Sequence, residues 1–284
     1  MELFFYLLIR MDILKLHLLL FTFVSIVSTM RKLIALSIFL YFSLHLSAQI
    51  NQKDSKGQKQ GEWKEYYQDT ILKSKGVYKN GKRVGIWHFY YETGEVFMEV
   101  EYLTDGITTN MKMFDPNGMK TAEGIYVKAK KEGTWYYYAT DSTKLREETY
   151  KNSLLDGLMK TYYRSGKLFE QIAYVRGKKE GIWKQYFENG VLKVDGTYKN
   201  DTLDGKIIYY HPNTKKMLEG LYKRGLREGT FTIYEENGKV KDTYRYNNGI
   251  MHPDDRKKKI NGDIKEVFPE SIIYQGGYED LAPK

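Results

Sequence analysis

From Gly61 to Gly249 the large apolar, aromatic and polar residues recur at fixed places every 24 residues, not at the three- or four-residue spacing of a helix. Setting Gly61 as position 0, the same place is held by Gly85, Thr109, Gly133, Gly157, Gly181, Gly205 and Gly229. Position 2 is large: Trp63, Trp87, Met111, Trp135, Met159, Trp183, Ile207 and Phe231. Position 5 is aromatic throughout, from Tyr66 and Tyr90 to Tyr234, and position 17 is Tyr throughout, from Tyr78 and Tyr102 to Tyr246. Each repeat carries two turn signals. The first lies at Gly94, Gly118, Gly166, Gly190 and Gly238, with Asn117, Asn189 and Asn237 preceding three of these glycines. The second lies at Asn80-Gly81, Gly177, Gly225 and Asn248-Gly249. Two turns in each repeat predict two strands of roughly eight to ten residues, because Asn-Gly accepts the backbone of a tight hairpin. After residue 48 the pattern predicts no helix.

A register follows. If the first Asn-Gly pair is a two-residue turn, positions that sum to 17 face each other. Gly61 then faces Tyr78, Gly181 faces Tyr198, Trp63 faces Gly76 and Trp183 faces Gly196. Side chains alternate along a strand, so these residues share one face, with rings lying across the facing glycines. The other face pairs position 3 with position 14: Lys112 with Glu123, Lys184 with Asp195 and His88 with Glu99, whereas Lys64 with Lys75 and Ile208 with Glu219 depart from the charge pattern. The expected fold is all-β: an elongated antiparallel β-meander of eight 24-residue β-hairpin repeats and sixteen strands, in a single twisted or curled sheet.

The repeats occupy residues 61–252. Residues 253–284 break the period and read as a tail or cap, with a final strand at Ile272–Tyr274, and Arg256 to Lys259 reads as a soluble basic run. Residues 49–60 are polar and read as a flexible linker. Residues 30–48 have the anatomy of a signal peptide: a basic start at Arg31 and Lys32, an apolar stretch from Leu33 to Leu46 and a small-residue stop at Ser47-Ala48. Residues 1–29 read as an upstream extension or an extra apolar segment ahead of a start at Met30. The expected location is therefore exported, in the periplasm, at the outer surface or secreted, with membrane anchoring if residues 1–48 are retained.

Composition narrows the chemistry. The absence of Cys removes disulfides, Cys-ligated zinc and thiol nucleophiles. The net charge of +9 falls to +7 on losing residues 1–48, which hold Arg10, Lys15, Arg31, Lys32, Glu2 and Asp12, a net +2. His88, His211 and His252, the three histidines after Ala48, lie at different positions of the repeat, without metal-ligand spacing. Acids stand immediately before the anchor at Glu132, Asp156, Glu180, Asp204 and Glu228; they read as turn chemistry, or as an edge for a divalent cation. The sequence carries neither a phosphate loop nor a nucleophile elbow. No catalytic, cofactor-binding or metal site is expected, and export disfavours nucleic acid.

Two columns remain for binding. Trp63, Trp87, Trp135 and Trp183, with Tyr78, Tyr102, Tyr126 and Tyr198, read first as the core of a thin sheet and second as a stripe that stacks on sugar rings. Arg83, Lys131, Lys179 and Arg227 recur two residues before alternate anchors, with Leu155 and Leu203 between; they read as solvated turns or as a cationic line for an anionic envelope surface.

The pattern Gly181-Ile-Trp183-Lys-Gln-Tyr186-Phe187-Glu-Asn-Gly190 followed by Gly196-Thr-Tyr198 resembles the variant MORN repeat of bacteria. Many such proteins carry an antitoxin-like label. The resemblance implies an extended β-sheet used for protein or membrane association, not catalysis. Repeat three departs from it at Thr109 and Met111, where an irregular sheet is expected. The function expected from sequence is a non-enzymatic exported scaffold presenting a sheet surface to a protein or cell-envelope partner. The alternatives are an antitoxin-type protein that neutralises a toxin and a glycan-binding surface protein.

Overall fold

Alternating side chains and paired turns do build a sheet. The computed structural model describes residues 30–32, 34, 50–68 and 70–260. The chain divides into two units, residues 1–52 and 53–284. In the first, Met30 to Lys32 and Ile34 are helical and exposed; the rest of the signal-peptide assignment, the upstream extension and the strand expected at Ile272–Tyr274 lie outside the described residues. Among the described residues no helix is long and apolar enough to cross a membrane.

Among the described residues nineteen strands form one antiparallel sheet, in which each pairs with its neighbour in the chain. Sixteen are the expected hairpin strands. The seventh hairpin's first strand is split into Thr202–Leu203 and Gly205–Tyr210, and two-residue strands at Gln52–Lys53 and Ile250–Met251 complete the count. Within residues 49–60, Asp54 closes a turn by accepting the backbone N–H groups of Lys56 and Gln58, both at 2.9 Å.

The register is the expected one in all eight hairpins. Position 0 faces position 17 from Gly61↔Tyr78 to Gly229↔Tyr246. The turn that sets it differs from the expectation. At the hairpin tips the Asn keeps an ordinary backbone and only the glycine takes positive φ, 88° at Gly190. Phe187 N–H donates to Val191 O and Gly190 N–H to Phe187 O, each at 2.8 Å, so the turn spans four residues and the ladder slips by one between Gln185 and Tyr186. Asn189 acts through its side chain, whose Oδ1 accepts Val191 N–H at 3.0 Å. The true two-residue turns, with positive φ at both central residues, are those between repeats, such as Asn80-Gly81 at 52° and 75°.

The anchor glycine serves the second turn. Lys79 faces Lys82 and Tyr78 faces Arg83, but beyond Gly85 (φ 61°) Lys75 faces His88. The strand bulges at the glycine, a backbone that a side chain disfavours. Thr109 marks the exception. From Tyr102↔Thr109 to Met98↔Met113 the ladder runs without a slip, and a longer loop through Asp105 replaces the tight turn. The irregular repeat thus gives the regular junction, because without a bulge no positive φ is needed.

The bulge also corrects the ring packing. Trp63 faces Gly76 in register, but the ring covering Gly76 is Trp87, from the next repeat; a Cβ on Gly76 would lie 2.3 Å from it. Trp135 covers Gly124 and Phe231 covers Gly220 in the same way. The indole N–H of Trp87 donates to Val77 O (3.1 Å), and that of Trp135 to Ile125 O (3.2 Å). The slip at the anchor carries these three rings over the preceding repeat's glycine and the two indoles beside a backbone carbonyl, whereas Trp183 lies against Gly196 of its own hairpin, as expected.

The acids before the anchors are turn chemistry. Glu132, Glu180 and Glu228 accept the backbone N–H groups of Asn152, Asn200 and Asn248 at 2.8–2.9 Å, each 20 residues on. Asp156 and Asp204 treat Arg176 and Arg224 alike. Groups of acids and histidines able to hold a metal ion do not occur among the described residues.

At the C-terminal end the expected tail is a helix, Pro253–Ile260. Its signals are present in the sequence: Pro at the first helical position and Asp254 and Asp255 in the first turn. Eight residues are too few to show a periodic pattern. Asp255, 2% exposed, caps the edge strand by accepting Arg245 N–H at 2.9 Å and its guanidinium Nε at 3.0 Å.

Candidate binding surface

The two sheet faces have different chemistry. The inner face holds positions 2 and 4 of each first strand and positions 13, 15 and 17 of each second. Trp63, Trp87, Trp135 and Trp183 are 8%, 0%, 1% and 2% exposed, so the Trp column is core and its ring faces are taken. Tyr78 is buried, and Tyr102, Tyr126 and Tyr198 are half-buried. Tyr78 meets Trp63 and Trp87 edge-on, and Tyr126 meets Trp135 edge-on, the favoured geometry for aromatic pairs.

The cationic column folds back onto these rings. Arg83 lies over Trp87 at 4.5 Å and donates to Tyr102 Oη at 3.1 Å; Lys131 lies over Trp135 at 4.3 Å, Lys179 over Tyr198 at 4.9 Å and Arg227 over Tyr246 at 5.3 Å. All four are half-buried. Burial pushes the Lys131 ammonium down from its ordinary pKa. Cations over ring faces seal the core margin.

The inner face is apolar in two blocks, one around Trp63, Tyr78 and Trp87 and a larger one from Met159 to Tyr246. Polar residues lie between them. Tyr137, Arg146, Thr161, Glu170 and Gln185 face one another in turn across five strands. Glu170, 6% exposed, accepts Trp183 Nε1–H at 2.9 Å and Gln185 Nε2–H at 2.8 Å. Glu148, equally buried, accepts Tyr150 Oη–H at 2.6 Å, and Arg146 Nε stands 2.9 Å away as an ion pair without hydrogen-bond alignment. Burial, then the bond to Glu148, pushes the Tyr150 hydroxyl up to about 12. The two carboxylates lie on strands separated by Leu154–Tyr162, facing Met159 and Thr161 respectively, each with its own donors. The sequence signal for Glu148 is an acid at position 15, where most repeats have Gly or an aliphatic residue; position 13, which holds Glu170, is mixed and gives no such signal.

The outer face carries a ladder that crosses every hairpin and is charged in the first seven. In order it runs Lys64, Lys75, His88, Glu99, Lys112, Glu123, Tyr136, Glu147, Lys160, Gln171, Lys184, Asp195, Ile208, Glu219, Thr232 and Thr243. Glu99 sits 3.5 Å from His88 and 2.8 Å from Lys112, and Lys184 lies 3.9 Å from Asp195. The like-charged Lys64 and Lys75 separate: Lys64 turns to Glu62 at 2.9 Å and Lys75 lies over Tyr90. Beside the ladder runs the position-5 aromatic column. Tyr138 donates to Glu123 and Tyr234 to Glu219. On the ladder's other side Val77, Ile86, Ile125, Leu158, Ile182 and Leu221 are between 36% and 50% exposed.

Glu219 is the carboxyl of this face held furthest below its ordinary value. Hydrogen bonds from Lys206, Tyr234 and Lys216 hold its carboxyl at about 2, against an ordinary 4.5. A carboxylate held down in this way adds stability above its unfolded value and loses it as pH falls toward its folded value. Its side chain is 20% exposed, so after solvent screening the contribution is on the order of 1 kcal/mol. Glu219→Gln is expected to be less stable than the native chain near neutrality, with the difference closing between pH 4.5 and about 2. Urea melts across that range check it; a gap that stays constant with pH contradicts the assignment.

Four segments match the MORN repeat variant family: residues 59–80, 155–175, 179–200 and 227–248. They coincide with hairpins one, five, six and eight. No curated protein sequence matches the chain. Among solved structures, the crystal structure of a TcdB2–TccC3–Cdc42 assembly is similar at 11% identity and a TM-score of 0.14, over 68% of this chain and 15% of that chain.

Proposed function

We propose that this chain is a non-enzymatic, exported repeat scaffold whose outer sheet face engages a protein or cell-envelope partner. One contrast carries the reading. The inner face uses its Trp rings and cations to pack on itself, whereas the outer face keeps a row of mostly half-exposed aromatics across eight hairpins, a ladder charged in the first seven and exposed aliphatics in six. A mixed surface of this kind suits protein recognition. Buried Trp rings leave the glycan-stacking reading without its platform. Export rests on the signal-like segment at residues 30–48.

The test places a photo-crosslinking residue at Ile125 or Ile182 on the outer face and, as a control, at Ser165 on a hairpin tip. Saturable adducts with one partner from the two face positions, coupled with a mature N-terminus at Gln49, are expected. Adducts confined to Ser165, or a mature chain that begins at Met30 in the cytosolic fraction, defeat the proposal.

A further inference from the structure

The two long margins of the sheet carry opposite charges at the same period. The turns between repeats form one margin. Lys79 and Lys82 flank the first turn, and Lys128 and Lys130 the third. Arg176 and Lys178 lie at the fifth, and Lys223 and Arg224 at the seventh. All are exposed. The intervening turns are weak: Asp105 in the second, Lys151 in the fourth and Lys199 with Asp201 in the sixth. The hairpin tips form the other margin. There Glu92 and Glu95 mark the second repeat, Asp141 the fourth, Glu188 the sixth and Glu235 with Glu236 the eighth, again all exposed. Asp156 at the fifth turn and Asp204 at the seventh each keep a negative charge while accepting a turn N–H, so two cations outweigh one acid there, whereas Gln60 and Thr108 leave the first and third turns without such an acid. None of the marginal charges named forms an ion pair among the described residues.

We propose that copies of this chain associate edge to edge, the cationic turn margin of one against the acidic tips of the next. Both patterns repeat every 48 residues, which is four strands or about 19 Å. In the meander a cationic turn and the nearest acidic tip differ by one strand, so a slide of about 5 Å aligns four cationic turns with four acidic tips. Lys151 then approaches Arg164 and Lys167, a like-charge meeting, and Asp201 approaches Lys215. Since the complementary margins lie on opposite sides of one chain, the contact is heterologous and extends beyond a dimer. Exposed charge pairs are individually weak and screened by salt, so the assembly depends on ionic strength and concentration.

Sedimentation velocity of the full chain tests this. At about 0.02 M salt the average mass is expected to rise at least twofold with concentration, and at about 0.5 M salt to return to the monomer. Reversing one margin (Lys82→Glu with Lys130→Glu and Lys178→Glu) or the other (Glu92→Lys with Glu188→Lys and Glu235→Lys) is expected to give monomers at low salt. An equimolar mixture of the two reversed chains is expected to associate again, since each then meets its complement. These positions are exposed, and unchanged circular dichroism confirms folding. A native mass that ignores salt, or a mixture that stays monomeric, overturns the proposal. So does a native chain that remains monomeric while its cationic margin binds anionic lipid vesicles.

Discussion

Trp87→Ala is expected to cost about 3–5 kcal/mol, the range for removing a large buried aromatic. The ring is fully buried, covers Gly76, meets Tyr78 edge-on and donates its indole N–H to Val77 O. Truncation opens a cavity and leaves that carbonyl without its donor. Gly76→Ala attacks the same contact from the other side. Its new Cβ would lie 2.3 Å from ring atoms of Trp87, so ring or backbone must move. Gly61→Ala is the control, with nothing within 4 Å of its added Cβ but a φ of 68°; it should cost the strain of a left-handed backbone, about 1–2 kcal/mol. The double variant Gly76→Ala with Trp87→Ala should cost clearly less than the two singles combined, because the clash goes with the ring. Urea denaturation of the four variants measures this. If Gly76→Ala is no worse than Gly61→Ala, the ring does not rest on the glycine. Repeats support one another through their neighbours, so the loss should appear first as melting of the first two hairpins.

Asp255→Ala should release the C-terminal edge. The carboxylate is 2% exposed and serves both the backbone N–H and the guanidinium of Arg245. Its loss leaves a backbone donor on an edge strand without that acceptor, at a cost of about 1–3 kcal/mol. Uncapped edges invite strand pairing with other chains. Hydrogen exchange at the Arg245 amide is the direct readout: protected in the native chain, fast in Asp255→Ala, and still protected in Arg245→Ala, which keeps the backbone bond. Equal protection in all three rules out capping by Asp255. Association through an opened edge would persist in high salt, unlike association through the charged margins.

Much of the sheet was legible because its rules are local and repeated eight times. The position-17 tyrosines and anchor glycines fixed which residues face each other, and the pairings Lys112 with Glu123 and His88 with Glu99 followed. The tip turns were misassigned because Asn-Gly suits both a two-residue turn and a longer turn ending in a glycine bulge. The bulged position absorbs the difference, so the inner register is the same either way. Glu148 and Glu170 do not stand out in the sequence, because an acid occurs once at position 15 and only twice, as Glu170 and Asp242, at position 13.

The sequence alone determined the repeat, its two strands, their pairing and the separation of a ring-bearing face from a charged one, since each follows from alternation and turn chemistry within 24 residues. Tertiary structure decided which neighbour each ring covers, where the cations of Arg83 and Lys131 end, and which acids are occupied by turns. Those outcomes depend on contacts between successive repeats. A two-residue bulge at the anchor sets them, through a positive φ that shifts one strand against the next.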